Sequence, residues 1–341
     1  MGTAKRSTKK QQASTTGRLP DPGTIRRHVE DAYATCRDDH GGQVADYIPG
    51  LAQTPADLFG ICFAAVDGQV YEQGDVEVPF SIQSISKPFV YALVCEAVGH
   101  TEARERLGVN GTGLPFDSVM AVELHEERTM NPLVNAGAIA TTSLVPGDTV
   151  EDKWQLVLRG LSRFAGRDLE LDEEILASES ESNRRNRGIA HLLRGYDQLY
   201  FDPDGTTEVY TRQCSIAVTV HDLAIMAATL ADGGVNPVTG ERVVDAGTSR
   251  RVLAVMATAG MYERSGDWLY EVGLPGKSGV SGGIVTVSPG KGGLGTFSPP
   301  LDDAGNSVRG QRATRELSER LGLNLFASGE PIVDGDMDDP R

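Results

Sequence analysis

The chain has 341 residues, 39% of them hydrophobic and 23% charged, with a formal net charge of −16. Those proportions fit a soluble globular protein with enough chain for one large domain or two interleaved ones. The negative balance argues against nucleic acid or an anionic membrane as the main partner, and no apolar run reaches the roughly 18 residues that a membrane helix needs.

Residues 1–23 are polar and basic (Lys5, Arg6, Lys9, Lys10) with no apolar stretch behind the charges. They read as a disordered arm rather than a signal peptide. Thr24 can cap a helix whose apolar face is Ile25, Val29, Ala32 or Tyr33, and Cys36. Residues 58–66 and 69–71 read as a hairpin about Asp67-Gly68, where glycine supplies a positive φ. An extended stretch, 76–82, then turns into a helix that carries Ser84 and Lys87 and ends near Gly99. The middle, about 100–265, is mostly helical. Thr149 with Asp152 and Thr219 with Asp222 resemble capping boxes before amphipathic runs, the first through Trp154, Leu158 and Leu161, the second through Leu223, Met226 and Leu230. Gly233-Gly234 stops the second run, and a further helix spans 249–259. Strands return at 283–287 and 294–298 about a turn at 288–292, and a last helix holds Val308, Leu317 and Leu321. From residue 328 the chain is an acidic, flexible tail. The order predicts an α+β fold, an antiparallel sheet flanked by terminal helices with a mostly helical inserted subdomain, rather than alternating β-α-β units. Cys36, Cys62, Cys95 and Cys214 are widely spaced in apolar settings and read as reduced core residues of a cytoplasmic protein rather than as a disulfide frame or a metal site.

Ser84-Ile-Ser-Lys87 carries the strongest chemical signal. Residues i and i+3 stand on one helix face, so the lysine can reach the serine oxygen. A serine at a helix start has free N–H groups around it that suit an oxyanion. This is the layout of an S-x-x-K acyl-transfer nucleophile, although a capping serine followed by a solvated lysine would read the same. Lys277-Ser278-Gly279 supplies a second signal, because S-x-x-K enzymes place a K-[ST]-G on an edge strand facing the nucleophile. There the glycine would let a substrate approach. The positive potential of Lys277 would help neutralise Lys87, and the N–H of Val280 could join that of Ser84 in an oxyanion hole. Gly276-Lys277-Ser278 is not the end of a phosphate loop, since Glu271 occupies the first glycine position and a strand follows. His125-Glu126-Glu127 lacks a second histidine, and no metal site is expected. Glu179, Glu181, Arg184 and Arg185 can be a solvated charged face.

Several unusual blocks occur in order: Asp46-Tyr-Ile-Pro49, Gln83-Ser-Ile-Ser-Lys87, Asn131-Pro-Leu-Val-Asn-Ala-Gly-Ala-Ile139, Ser178-Glu-Ser-Glu-Ser-x-x-Arg-Asn186, Gln213-Cys-Ser-Ile216, Gly260-Met-Tyr262, Gly273-Leu-Pro-Gly-Lys-Ser-Gly-Val280 and Ser298-Pro-Pro-Leu301. In these blocks the chain resembles the serine-dependent glutaminases, relatives of β-lactamases and penicillin-binding proteins, over residues 24–327. The resemblance implies a β-lactamase-like fold and a catalytic domain of that extent. It implies Ser84 as nucleophile toward the side-chain amide of L-glutamine, Lys87 as its base and Tyr262 as a second proton-transfer group. Asn135, Glu179, Asn186, Tyr210, Tyr262, Ser84 and Val280 match substrate-binding positions, and Tyr47 matches a tyrosine at the mouth of the site. The residue types agree, since an ammonium wants a carboxylate and a carboxylate wants neutral donors. The family works without metal or organic cofactor and commonly as a homotetramer. Ser180 departs from it, standing where many relatives carry arginine, as do Gly50 and residues 109–118. A penicillin-recognising hydrolase and a silent amino-acid sensor are the competing readings. The absent export signal and Glu179 argue against the first, and an intact Ser84, Lys87 and Tyr262 against the second.

Overall fold

A computed structural model describes residues 18–46, 48–124 and 128–327. Tyr47, His125-Glu126-Glu127, most of the basic arm and the acidic tail lie outside the described residues. The chain opens with α1 (Pro22–Cys36), whose cap is Asp21 rather than Thr24. The Asp21 carboxylate accepts from the N–H groups of Gly23 and Thr24, which places the cap three residues ahead of the expected one and directly before Pro22, a favoured first position. The buried face is the expected Ile25, Val29, Ala32 and Cys36.

The expected hairpin follows as β1 (Gly60–Ala65) and β2 (Val70–Gly74), with Gly68 at φ +88° in the turn. Then come β3 (Phe80–Ser81) and a 3-10 turn, Gln83–Ile85. Next are α2 (Ser86–Val98), α3 (His100–Leu107), α4 (Val119–Leu124), α5 (Asn135–Ser143) and α6 (Val150–Ala165). β4 (Glu170–Leu171), α7 (Glu173–Ser182), α8 (Arg184–Gly195), α9 (Pro203–Cys214) and β5 (Ile216–Val218) lead to α10 (Val220–Ala231). After α11 (Ala246–Ala259) and the 3-10 turn Tyr262–Arg264 come α12 (Ser265–Glu271), β6 (Gly276–Ser278), β7 (Gly283–Ser288), β8 (Gly292–Phe297) and α13 (Val308–Arg320). Both capping boxes form in full. On α6 it is Val157, not Leu158, that lies fully buried beside Trp154 and Leu161. No helix among the described residues is long and apolar enough to cross a membrane.

The main sheet is antiparallel, in the order β2-β1-β8-β7-β6. Helices cover both of its faces, so β1, β7 and β8 are buried at every position and show no polar alternation. Ile61, Phe63, Ala65, Ile284 and Leu294 pack with Ile25, Val29, Ala313 and Leu317 of the terminal helices. Cys62, Ala64, Val285, Val287 and Phe297 pack on the other side with Leu223 and Ala227 of α10. α10 lies unusually close because β8 presents glycines to it. A Cβ on Gly293 would fall 2.3 Å from that of Ala227, and one on Gly295 2.6 Å from the Val220 carbonyl oxygen.

A second, three-stranded sheet, β3-β5-β4, sits within the helical region and was not expected. Its strands span two or three residues, too few for a period to be read. It matters because Phe80 pairs with Val218 and Ser81 with Ala217, which anchors the chain immediately before Ser84.

Candidate active site

Ser84 lies in the 3-10 turn between β3 and α2, not in the first α-helical turn. Gln83 ahead of it holds φ +51°, a left-handed backbone that costs a non-glycine residue on the order of 1 kcal/mol or more and recurs where geometry is held for function. Every residue of α2 from Ser86 to Cys95 is buried, so Lys87 follows its neighbours into the interior and is 1% exposed. Its Nζ donates to Ser84 Oγ at 2.9 Å and to Asn135 Oδ1 at 2.7 Å.

Burial lowers the Lys87 ammonium to about 8, against the opposing pull of Cys214, Asp117 and Glu179. The expected electrostatic help from Lys277 is not its cause. Lys277 is fully buried itself and is pushed well below the usual lysine range, first by desolvation and then by Lys87. Lys277 instead donates to the Ser278 carbonyl at 2.8 Å and lies 4.2 Å from the Tyr262 ring centroid, fixing the end of β6 and that ring.

Tyr262 opens its 3-10 turn at φ +57°. Its hydroxyl donates to the Ser278 carbonyl at 3.0 Å and also hydrogen-bonds with Ser84. The serine oxygen therefore lies between an amine and a phenol. Burial pushes the phenol above its ordinary value, while the bonds to Ser84 and Ser278 pull the other way.

The remaining predicted residues converge from separate helices. Asn135, first in α5, donates from Nδ2 to Asn186 Oδ1 at 3.0 Å and accepts from the Tyr210 hydroxyl at 3.4 Å. Glu179 points inward from the last turn of α7 and is 8% exposed, whereas Glu181, Arg184 and Arg185 are exposed. Burial raises the Glu179 carboxyl to about 7, with the Gln83 hydrogen bond and then the Lys87 charge opposing. Gln83 Nε2 donates to Glu179 and, at 3.1 Å, to Ser81 Oγ.

Val280 follows β6, the edge strand. The neighbouring Gly279 is also needed for packing. A Cβ there would lie 3.1 Å from Ile85 Cγ1 and 3.2 Å from the Ile82 carbonyl, so the missing side chain lets the turn that carries Ser84 pack against the K-S-G strand.

Sequence reasoning missed two participants. Gln83 carries a readable signal, a bonding side chain directly before the nucleophile. Phe116, whose ring centroid is 4.5 Å from that of Tyr262 and 5.9 Å from Lys87 Nζ, carries none. A cleft of about 680 Å³ is lined by Phe116 and Val280 together with Gln43, Ala45, Leu301 and Asp302. A cleft of about 720 Å³ elsewhere is lined by Ser180, Asn183, Arg187 and Arg212, so volume alone does not single out the reactive centre. Ser180, the departure from the family pattern, faces that outer cleft while Glu179 faces inward.

Comparison with known proteins agrees with the geometry. The profile of the Glutaminase family matches residues 42–326. The chain is 57% identical over 319 residues to Glutaminase 2 of Yersinia pestis, covering 94% of each chain, and 52% identical over 302 residues to a glutaminase of Mycobacterium ulcerans, covering 89% of this chain and 94% of the other. The structure of the probable glutaminase ybaS superposes with a TM-score of 0.88 at 47% identity, over 90% of this chain and 99% of that one. The Bacillus subtilis glutaminase YbgJ, in a covalent complex with 5-oxo-L-norleucine formed from 6-diazo-5-oxo-L-norleucine, superposes at 0.78 with 31% identity, over 89% and 98%.

Proposed function

The chain belongs to the glutaminase family, and from that premise we propose that it hydrolyses the side-chain amide of L-glutamine to L-glutamate and ammonia through an ester on Ser84. The observation that carries the proposal is the 2.9 Å contact between Ser84 Oγ and a buried Lys87 whose amine is held near neutrality. An amine with a pKa of about 8 can take the serine proton at working pH, whereas an exposed lysine at its usual value cannot.

In the first half-reaction Ser84 Oγ bonds to the amide carbon and its proton passes to Lys87. The oxyanion is held by the N–H groups of Ser84 and Val280. Collapse breaks the C–N bond, and the departing nitrogen takes a proton from Lys87 through Tyr262, leaving as ammonia. Water then attacks the ester, Lys87 takes its proton, and the Ser84 oxygen recovers one as glutamate leaves. Water is the only co-reactant in that balance. Glu179 receives the substrate ammonium, and Asn135, Asn186 and Tyr210 receive its carboxylate. Tyr47 is proposed at the mouth of the site. By the same resemblance the protein is proposed to work in the cytoplasm as a homotetramer, which a sedimentation mass would check.

The test uses 6-diazo-5-oxo-L-norleucine, which carries a diazomethyl group where glutamine carries its amide nitrogen. The wild-type protein should gain one covalent adduct, mapped by mass spectrometry to Ser84. Ser84→Ala should gain none and release no ammonia from glutamine, with an unchanged melting temperature. Labelling or turnover in that variant would remove the mechanism.

A further inference from the structure

Cys62, Glu72 and His221 take no part in the chemistry proposed for Ser84, yet three different elements bring them together. Cys62 on β1 stands directly opposite Glu72 on β2 in the antiparallel register. On the other side its partner is Gly295 of β8, whose bare Cα lets the Val220 carbonyl of α10 close on the sheet. That close approach carries His221, the next residue, to the pair. Cys62 Sγ is 3.5 Å and His221 Nδ1 2.5 Å from Glu72 Oε1, and the three donor atoms lie within 4.8 Å of one another.

We propose that Cys62, Glu72 and His221 form a binding site for one thiophilic divalent cation of the Zn²⁺ class, separate from the Ser84 site and not needed for its reaction. Donors of these three kinds bind zinc at about 2.0–2.3 Å, which sets them roughly 3–4 Å apart around a tetrahedral ion, and the triad needs little movement to reach that spacing. Thiolate and imidazole together select zinc-like ions over magnesium or calcium. Burial is graded across the site. The thiol is fully enclosed, whereas the side chains of Glu72 and His221 are 31% and 39% exposed, which gives an ion a path inward and leaves its fourth position to water. Burial first, and then the negative charges of Glu72, Glu77 and Asp222, hold the thiol proton on in the absence of an ion, while those same charges attract a cation to the site. On binding, the thiol loses its proton to solvent, Nδ1 turns its lone pair to the ion, and three coordinate bonds replace the hydrogen bonds with no change of oxidation state.

The competing reading is a hydrogen-bonded triad that never holds an ion. To separate the two, the full chain would be stripped with a chelator and titrated with Zn²⁺ against a chromophoric competitor, and with Co²⁺ under an absorption scan. The proposal expects one equivalent of Zn²⁺, a Co²⁺–thiolate charge-transfer band that Cys62→Ser abolishes, and at least a tenfold loss of affinity in His221→Ala. It also expects excess Zn²⁺ to raise the melting temperature of the wild type and not of His221→Ala, because a ligand stabilises only the state that binds it. The absence of the thiolate band, or equal Zn²⁺ affinity in wild type and His221→Ala, would overturn it. His221 is half-exposed, so that comparison survives even if Cys62→Ser fails to fold.

Discussion

Two titrations bear on the proposed reaction, and both favour alkaline solution. Glu179, raised to about 7 by burial, must lose its proton before it can hold an ammonium group. Lys87, lowered to about 8 by burial, must lose its proton before it can act as a base. Raising the pH drives both toward the active form, so kcat/KM, which reports the free enzyme, should climb through both values. In Glu179→Gln the lower step should vanish while the one near 8 persists, and KM should rise roughly tenfold or more with the loss of a charged hydrogen bond. A pH profile of that variant superimposable on the wild type would remove Glu179 from substrate binding. The carboxylate and the amine were legible in the sequence as candidates, through motif order, residue type and the family resemblance. The environments were not, because burial belongs to the packed molecule. That is why Lys277 looked like a source of positive charge until its own enclosure was seen.

Helix caps were the most legible elements, since a capping box closes within four residues: Thr219 Oγ1 and N–H against Asp222, and Thr149 against Asp152. The cap of α1 was misplaced by three residues because Asp21 and Thr24 both offer a capping oxygen, and only the fold decides which bonds the free N–H groups. The sheet β3-β5-β4 was hidden by the shortness of its strands, and α11 began three residues before its expected start. Least legible was the contact between α10 and β8, which depends on side chains that are absent. Gly295→Ala would put a methyl 2.6 Å from a backbone oxygen that cannot swing away. Overpacking of this kind costs about 1–3 kcal/mol, so the melting temperature should fall by several degrees. The shift should appear in thermal unfolding at any metal concentration. An unchanged melting temperature would mean that α10 and the sheet are not in close contact.

At the scale of the whole molecule, the first and last described helices share one face of one sheet. Leu19, Ile25, Val29, Ala32 and Cys36 from the beginning pack in the same cluster as Ala313, Leu317, Leu321 and Leu323 from the end. Buried Arg309 adds a polar tie. Its guanidinium donates to the carbonyls of Arg37, Ala56, Asp57 and Leu58 and to Ser298 Oγ, binding α13 to the segment between α1 and β1. The match to the glutaminase family begins only at residue 42, so α1 lies outside it while serving the fold. A series of shortened chains should expose this. A chain of residues 18–327 keeps every described contact and should retain glutamine turnover and melting temperature. One of 24–327 loses Asp21, Pro22 and Leu19 and should melt a few degrees lower, which would move the proposed domain start from 24 to about 18. One of 42–327 leaves the apolar face of the main sheet open where Ile25 and Val29 had covered it. Each such side chain contributes about 1.5–3 kcal/mol when fully buried, and a typical domain holds only about 5–15 kcal/mol in total. That shortest chain should therefore fail to give a cooperative unfolding transition; normal turnover from it would show that α1 is an appendage rather than part of the core.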